Sequence, residues 1–239
     1  MSRSFKALSA LLCYPSVELK EAAGAIGEVL RQENILSPAS VSAIQPLLDD
    51  LETMDIYELQ ERYVILFDRS RTLSLNLFEH VHGEGRERGS AMVDLLETYR
   101  AGGYDLTSTE LPDHLPILLE FLSTRPLDEA KEILQDAGHI IAALAERLNR
   151  RESIYAAVMA GLAEFAEISQ SAEMVQELLS VADDDPEDLQ ALDDIWEEAE
   201  VTFGPDPNAG CPVSQDIMAK MDPTPQFTQP GPRPAVAHK

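Results

Sequence analysis

Hydrophobic residues recur at helical spacing along most of the 239-residue chain. Between Leu19 and Leu30, for example, apolar side chains follow one another at intervals of three or four residues, which places them on one face of an α-helix. Prolines, glycines and capping residues separate such stretches. The first predicted helix ends at Tyr14 and Pro15, the second is opened by Ser16, the third covers about 38–51, and the fourth is opened by Asp55 and reaches Phe67. A fifth covers 86–101, and a sixth begins after the turn at 111–114. Further helices are predicted at 128–150, 153–169 and 172–181, and a short acidic one at 189–196. We expect Pro46 to kink or break the third helix.

One stretch, residues 68–85, departs from this pattern, and we refer to it as the joint. Its leucines, Leu73, Leu75 and Leu77, recur at every second residue, and the glycines Gly83 and Gly85 precede the next helix. A segment that breaks the local rules of its neighbours is where function is expected.

The composition agrees with a helical fold, because alanine, leucine and glutamate are common and are good helix formers. We find no internal repeat and no alternation of strands with helices. The predicted fold class is all-α, a single helical domain of roughly eight to ten helices. It is expected to cover residues 1–203. Residues 204–239 are rich in proline and glycine, a composition that cannot fill a core, so we predict a flexible, disordered C-terminal tail.

The chain is strongly acidic, with a formal net charge of −25, and residues 152–219 contain no lysine or arginine. Nucleic acid is not expected as a partner, because binding to phosphates requires a basic surface. An acidic C-terminal half suits a basic partner, although a solvated surface would have the same composition.

No run of about 18 apolar residues is present, so stable membrane insertion is not expected. The two cysteines, Cys13 and Cys211, outline no disulfide framework, and with no export signal they favour a cytoplasmic location.

Two histidines in the joint, His80 and His82, lie near Glu79 and Glu84, which raises the question of a metal site. Residues two apart do not face each other on a helix, and no second pair of ligands is placed to complete the coordination. We therefore predict no metal site, and interpret the histidines as hydrogen-bonding to the backbone.

Four arginines bracket these histidines, and they favour either an anion clamp or an internal network of ion pairs. They are Arg69, Arg71, Arg86 and Arg88. Neighbouring carboxylates are close enough in sequence to pair with them, and the two interpretations remain open.

Residues 110–114, ELPDH, place two carboxylates and an imidazole within five positions. Acid–base catalysis uses such groups, but Pro112 and Asp113 are equally typical of the start of a helix. His139 lies among apolar residues, and Cys211 lacks the basic neighbours that activate a thiol. No nucleotide-binding or nucleophile motif is present. The protein is therefore not predicted to be an enzyme, and no cofactor of its own is expected.

The run LFDRSRTLSLNLFEHVHGEGRERGSAMVDLL, residues 66–96, resembles the signature of the NarJ-type chaperones, also described as the delta subunit of respiratory nitrate reductase. These belong to the all-helical group of redox-enzyme maturation proteins that includes the TorD and DmsD chaperones. The similarity extends over most of the chain. It includes LCYP at 12–15, ELPDH at 110–114, and the segments 199–203 and 210–212.

The resemblance implies a chaperone without catalytic activity. Family members bind the apo catalytic (alpha) subunit of respiratory nitrate reductase, including its N-terminal segment. They keep that subunit competent for insertion of the molybdenum cofactor, a bis-molybdopterin guanine dinucleotide, and of an iron–sulfur cluster before membrane docking. Two alternatives are a permanent structural subunit of the complex and a chaperone of another molybdoenzyme.

Two motifs of the wider group, Y-x-x-L-F and E-x-P-D-H, imply a peptide-binding site. In this sequence they fall on Tyr63, Leu66, Phe67, Glu110, Pro112, Asp113 and His114. We expect the apolar residues of the first motif to seat the hydrophobic face of the peptide. Glu110 and Asp113 are expected to meet its positive charge, and His114 to make binding sensitive to pH near neutrality.

Overall fold

The computed structural model describes residues 2–82, 86–107, 109–168 and 173–183, and this part of the chain is helical. Its α-helices are α1 (Arg3–Leu11), α2 (Val17–Glu33), α3 (Pro38–Thr53), α4 (Ile56–Tyr63), α5 (Glu79–His82), α6 (Arg86–Ala101), α7 (Leu115–Ser123), α8 (Leu127–Asp136), α9 (Gly138–Arg150), α10 (Ala156–Phe165) and α11 (Glu173–Ser180). A π-helical turn, Val64–Asp68, extends α4, and a 3-10 turn covers Arg71–Leu73. The all-α prediction is confirmed. The predicted helix at 189–196, the tail and the boundary at 203/204 lie outside the described residues.

The helices begin where short polar side chains satisfy free backbone N–H groups. Ser16 accepts a hydrogen bond from the Leu19 N–H, and Asp55 accepts one from the Tyr57 N–H. Ser2 caps α1 in the same way by accepting from the Ser4 N–H. These local signals explain why the sequence pattern located the helix starts.

The described residues contain two more helices than predicted, because α5 lies within the joint, where no helix was expected, and the expected helix at 128–150 is two helices, α8 and α9. They meet at Gly138, where an added Cβ would lie only 2.3 Å from the Cδ1 and Cγ1 atoms of Ile168. The missing side chain lets Ile168 pack against this corner.

The third helix does not break at Pro46, because α3 continues through this proline, and that part of the prediction is wrong. Pro46 is exposed, so the carbonyl that loses its helical partner faces solvent.

The hydrophobic core is built from the apolar faces of these helices. Helix α1 packs against α2 and α7, α2 packs against α3, and α9 packs against α10 and α11. The Phe5 ring meets the Phe165 ring edge to face with 5.2 Å between centroids, which joins α1 to α10. None of the helices in the described ranges is long and apolar enough to cross a membrane.

The joint is attached to the rest of the fold by extended pairing and by one buried arginine. An isolated antiparallel bridge links Asn76 to His114, with the Leu115 N–H donating to the Leu75 carbonyl at 2.9 Å. Arg147 of α9 is 3% exposed and donates to the Thr72 carbonyl at 2.9 Å. The alternating leucines of the joint are buried. Their spacing thus reflects an extended segment pressed onto the helical body.

Candidate peptide-binding site

A cavity of about 460 Å³ opens where the end of α1, the π-helical turn and the start of α7 come together. Its lining residues are Ser9, Cys13, Tyr14, Tyr63, Asp68, Glu110, His114, Pro116, Ile117 and Glu120. The structure therefore brings three predicted site residues, Tyr63, Glu110 and His114, to one cavity, although the first is 47 positions from the second (110 − 63).

The cavity is strongly acidic. Three carboxylates, Asp68, Glu110 and Glu120, line it, and no lysine or arginine is among its lining residues. The Lys6 ammonium group lies at the rim, 3.8 Å from the Glu120 Oε1 atom. Partial burial and then the nearby Glu110 raise the pKa of Asp68, as expected where carboxylates lie close together. Such a space is complementary to a cationic guest.

His114 is the titratable group in this cavity whose ordinary pKa is closest to neutrality. Burial lowers its pKa, and the negative charge of Glu110 acts in the opposite direction. The imidazole is therefore less readily protonated than an exposed histidine. Protonation of His114 would place a positive charge among the three carboxylates that are complementary to a cationic ligand.

Tyr63 forms a rigid aromatic wall of the cavity. Its hydroxyl donates to the Leu12 carbonyl at 2.9 Å, and its ring meets the Tyr14 ring edge to face at 5.6 Å. The Tyr63 ring also lies 5.0 Å from that of Phe67, which packs edge-on against Tyr155 at 5.1 Å. Burial raises the pKa of the Tyr63 phenol, so it remains a neutral donor.

Leu66 and Phe67 are buried and do not line the cavity. They lie in the π-helical turn, and their role in this structure is to hold Tyr63 and Asp68 in place from behind. π-Helical turns occur frequently at functional sites. Of the three residues of the Y-x-x-L-F motif, Tyr63 is the one that lines the cavity.

Hydrogen bonds to Pro112 and Asp113 hold the E-x-P-D-H motif in place. The Tyr99 hydroxyl donates to the Pro112 carbonyl at 2.7 Å. The Asp113 carboxylate is fully buried, and its Oδ2 atom accepts from the Phe78 N–H at 2.9 Å. The expected contact of Asp113 with a ligand's charge is not available in this arrangement. Asp113 instead fastens the joint to the segment that carries Glu110 and His114.

The histidines of the joint contact protein groups, and His80 has the backbone partner that the sequence interpretation expected. His80 Nε2 lies 2.8 Å from the Ser74 carbonyl oxygen, and the His82 ring packs edge-on against Phe78 at 5.7 Å. Arg88 pairs with Glu79 at 3.0 Å. This pair favours the internal network over the anion clamp. In the described ranges, no three histidine, cysteine or acidic side chains are grouped to hold a metal ion.

A model of the family described as nitrate reductase delta subunit matches residues 33–161. The chain is 44% identical over 204 residues to the nitrate reductase molybdenum cofactor assembly chaperone NarJ of Escherichia coli strain K12, covering 85% of this chain and 86% of that protein. It is 42% identical over 173 residues to the probable nitrate reductase molybdenum cofactor assembly chaperone NarW of the same strain, covering 71% and 74% respectively. A probable chaperone NarJ of Bacillus subtilis strain 168 is 32% identical over 160 residues, covering 65% and 84%.

The chain belongs to the nitrate reductase delta subunit family. This confirms the resemblance to the NarJ-type chaperones. The relatives are named as assembly chaperones rather than as catalysts, which supports the prediction that this delta subunit family member is not an enzyme.

Sequence reasoning missed seven of the ten residues that line the cavity in this delta subunit family member. Glu120 lies on α7 one helical turn beyond Pro116, and Asp68 closes the π-helical turn. Spacing along α7 placed Pro116 and Glu120 on one face, a signal that was available. Ser9 lies in α1, and Cys13 and Tyr14 lie just after it; all three are outside the region matched by the family model.

Proposed function

We propose that this protein is a cytoplasmic chaperone that binds the apo catalytic subunit of respiratory nitrate reductase through its N-terminal segment. It keeps that subunit competent for insertion of the molybdenum cofactor and an iron–sulfur cluster before membrane docking. The names of its relatives support the role in molybdenum cofactor assembly. The peptide contact rests on the physical argument that follows, and the iron–sulfur step rests on the family resemblance alone.

The observation that carries the proposal is the acidic cavity. A basic side chain at the N-terminal segment of the client would find three carboxylates within one space of about 460 Å³. Charge-assisted hydrogen bonds to a guanidinium or ammonium group are stronger than neutral ones, and more so in a partly desolvated site. The aromatic edge of Tyr63 offers an apolar surface beside them.

The seven residues implied by the family motifs then divide into two groups. Tyr63, Glu110 and His114 face the client. The remaining residues hold the walls, and they are Leu66, Phe67, Pro112 and Asp113. Substitution of the second group, or of the buried Tyr63, is expected to alter the fold of the site, whereas substitution of Glu110 or His114 is expected to alter mainly the affinity for the client.

The test is titration calorimetry with a synthetic peptide of the client's N-terminal segment. The double variant Glu110→Gln and Glu120→Gln removes two cavity charges with little change in shape, and we expect at least about tenfold weaker binding. Glu87→Gln combined with Glu97→Gln is the matched control, because this pair also removes two negative charges, from exposed positions of α6. Equal affinity of the double variant and the control for the peptide would contradict the proposed contact.

The proposed site also implies a dependence on pH. Burial lowers the pKa of His114, so the group is neutral at pH 7 and gains its proton only under more acidic conditions. Below the pKa of His114, the positive charge on its imidazole repels a cationic side chain of the client peptide. The affinity for the peptide is therefore expected to fall as the pH decreases. His114→Gln should flatten this dependence in the range near and below neutrality. Carboxylate protonation is expected to weaken binding further at lower pH, in both proteins.

The two alternatives predict different purification results. A permanent structural subunit would remain with the mature nitrate reductase in stoichiometric amount. A chaperone of another molybdoenzyme would instead capture a different apo subunit from cells grown anaerobically with nitrate. Capture of the apo catalytic subunit of nitrate reductase, and absence from the mature complex, are the results that the proposal expects.

A further inference from the structure

The Glu120 carboxylate has two partners that do not themselves line the acidic cavity. The Tyr104 hydroxyl donates to the Oε2 atom at 3.1 Å, and the Lys6 ammonium group lies 3.8 Å from the Oε1 atom. The two oxygens of one carboxylate are thus divided between a neutral donor and a cation. The direction of this cavity charge is therefore set from outside the cavity.

The turn after α6 determines where the Tyr104 side chain lies. Gly103 has a φ of +74°, a left-handed conformation that favours glycine, and the Tyr104 N–H then donates back to the Tyr99 carbonyl at 2.9 Å. A Cβ added at Gly102 would lie 2.6 Å from the Cε2 atom of Phe121, so the turn lies close against α7. The two glycines therefore bring Tyr104 from the end of α6 to α7.

Aromatic contacts on two sides fix the direction of the Tyr104 hydroxyl. The ring meets the Tyr99 ring with 5.8 Å between centroids and the Phe121 ring with 5.9 Å, both edge to face. Phe121 is in turn covered by the Arg125 guanidinium group, whose Cζ atom lies 5.0 Å from the ring centroid. Burial and then the negative charge of Glu120 raise the pKa of the Tyr104 phenol to about 12, so it is a neutral donor at physiological pH.

We propose that Tyr104 is a positioning residue of the candidate peptide-binding site: its hydroxyl holds one oxygen of Glu120, and the other oxygen is presented to a basic side chain of the client. Lys6 occupies the place of that client side chain until the client displaces it. This inference rests on the proposed function, and it adds the residues that fix and occupy one of the three cavity carboxylates.

Positioning matters because Glu120 is a flexible side chain that is 45% exposed. An exposed glutamate must give up rotamer freedom when it pairs with a ligand. The hydrogen bond from Tyr104 restricts that freedom before the client arrives, and such preorganisation favours binding. The Oε1 atom keeps its lone pairs for a charge-assisted hydrogen bond, which is stronger than a neutral one.

Lys6 is suited to be displaced. Its side chain is 71% exposed, and the 3.8 Å separation from Glu120 makes a loose ion pair. Exposed pairs of this kind contribute little free energy. A client cation that forms a direct hydrogen bond with the Oε1 atom replaces this contact easily, whereas a neutral side chain would leave Lys6 in place.

The experiment is a double-mutant cycle, measured by titration calorimetry with the synthetic peptide of the client's N-terminal segment. Tyr104→Phe removes the hydroxyl and keeps the ring with its two aromatic contacts. We expect about three- to tenfold weaker binding in the otherwise unmodified protein. In the Glu120→Ala background the group to be positioned is absent, and the same change should weaken binding less than about 1.5-fold. Tyr57→Phe is the matched control, because it removes a hydroxyl from a side chain that is 77% exposed, and it should leave the affinity unchanged.

A second pair of variants tests Lys6 by a gain in affinity, which a partly unfolded protein could not produce. Lys6→Gln removes the cation from the Oε1 atom of Glu120. Lys131→Gln is its control, because Lys131 pairs with Glu167 and does not line the cavity. Both variants lose one positive charge, so the general attraction for a basic peptide rises in both. We expect Lys6→Gln to bind the peptide about two- to threefold more tightly than Lys131→Gln does.

The possible outcomes separate this inference from the proposed function. If Tyr104→Phe weakens binding equally with and without the Glu120 side chain, Tyr104 acts through the fold, and the inference is overturned. It is also overturned if Tyr104→Phe leaves the affinity unchanged while Glu110→Gln with Glu120→Gln weakens binding, and the proposed function then stands. If Lys6→Gln and Lys131→Gln bind equally, Lys6 does not occupy the client's place, and that part is overturned. If Glu110→Gln with Glu120→Gln binds as tightly as the unmodified protein, the proposed function fails, and this inference fails with it.

Discussion

Replacing Glu33 by glutamine is expected to destabilise the protein at neutral pH and to have little effect in acid. The Glu33 carboxylate, at the end of α2, accepts hydrogen bonds from the first residues of the chain. The Ser2 hydroxyl donates at 2.8 Å, the Arg3 N–H at 3.0 Å, and the Ser4 N–H and hydroxyl at 2.8 and 2.9 Å. The Arg3 Nε atom lies 3.1 Å from the same group. One side chain thus caps α1 and fastens it to α2.

The magnitude follows from the pKa of this carboxyl. Burial alone would raise it, but the hydrogen bonds from Ser2, Ser4 and Arg3 outweigh burial and lower the pKa from 4.5 to about 2. That difference corresponds to at most about 3.4 kcal/mol. The site lies near the surface, so solvent screening reduces the expected contribution to about 1–2 kcal/mol. Because the folded-state pKa is depressed, this stability is fully present above pH 4.5 and is lost as the pH falls towards 2.

The assay is urea-induced unfolding of the unmodified protein and of Glu33→Gln at pH 7 and at the lowest pH where both remain folded. The free energy of unfolding should differ by about 1–2 kcal/mol at pH 7 and by less in acid. Glu28→Gln, an exposed change on the same helix, is the control. If the free energies of unfolding do not differ at pH 7, or if their difference stays constant down to pH 3, the proposed contribution of the Glu33 carboxylate to stability is refuted.

Two further changes test the packing that surrounds the site. Gly138→Ala should lower the free energy of unfolding by about 1–3 kcal/mol, because its Cβ would lie 2.3 Å from Ile168. Gly89→Ala on α6 meets no atom within 4 Å and should leave thermal stability unchanged or raise it, and equal effects of the two would contradict the steric argument. Asp113→Ala leaves the Phe78 N–H without its partner and should cost about 1–3 kcal/mol, with hydrogen exchange of that amide accelerated. Unaltered exchange at Phe78 would show that Asp113 does not fasten the joint.

The helices were predictable because their signals are local. Ser16, Ser37 and Asp55 each precede an apolar face of helical spacing, and each is an N-cap in the structure. The break at Gly138 was not predictable, because it depends on Ile168, 30 positions further along (168 − 138). A glycine within a helical pattern is otherwise tolerated.

In the candidate site, too, features that depend on nearby residues were predictable, and those that depend on residues distant in sequence were not. The family motifs identified Tyr63, Glu110 and His114, which do meet in one cavity. They did not show that Asp113 is turned inwards, since its partner Phe78 lies 35 positions away. Nor did they identify Tyr14, which lines three hollows that exist only once α1, α2 and α4 have packed.

The buried Arg147 determines how short the chain can be made. Its guanidinium group donates to the carbonyls of Thr72 in the joint and of Leu178 in α11, at 2.9 and 2.7 Å, and pairs with Asp183 at 3.1 Å. A truncated chain that ends before Asp183 would lose the ion pair between this carboxylate and the buried Arg147, and removing one partner of a buried ion pair typically costs about 3–5 kcal/mol. The smallest stable fragment therefore extends well past residue 161, where the family match ends, and reaches at least Asp183.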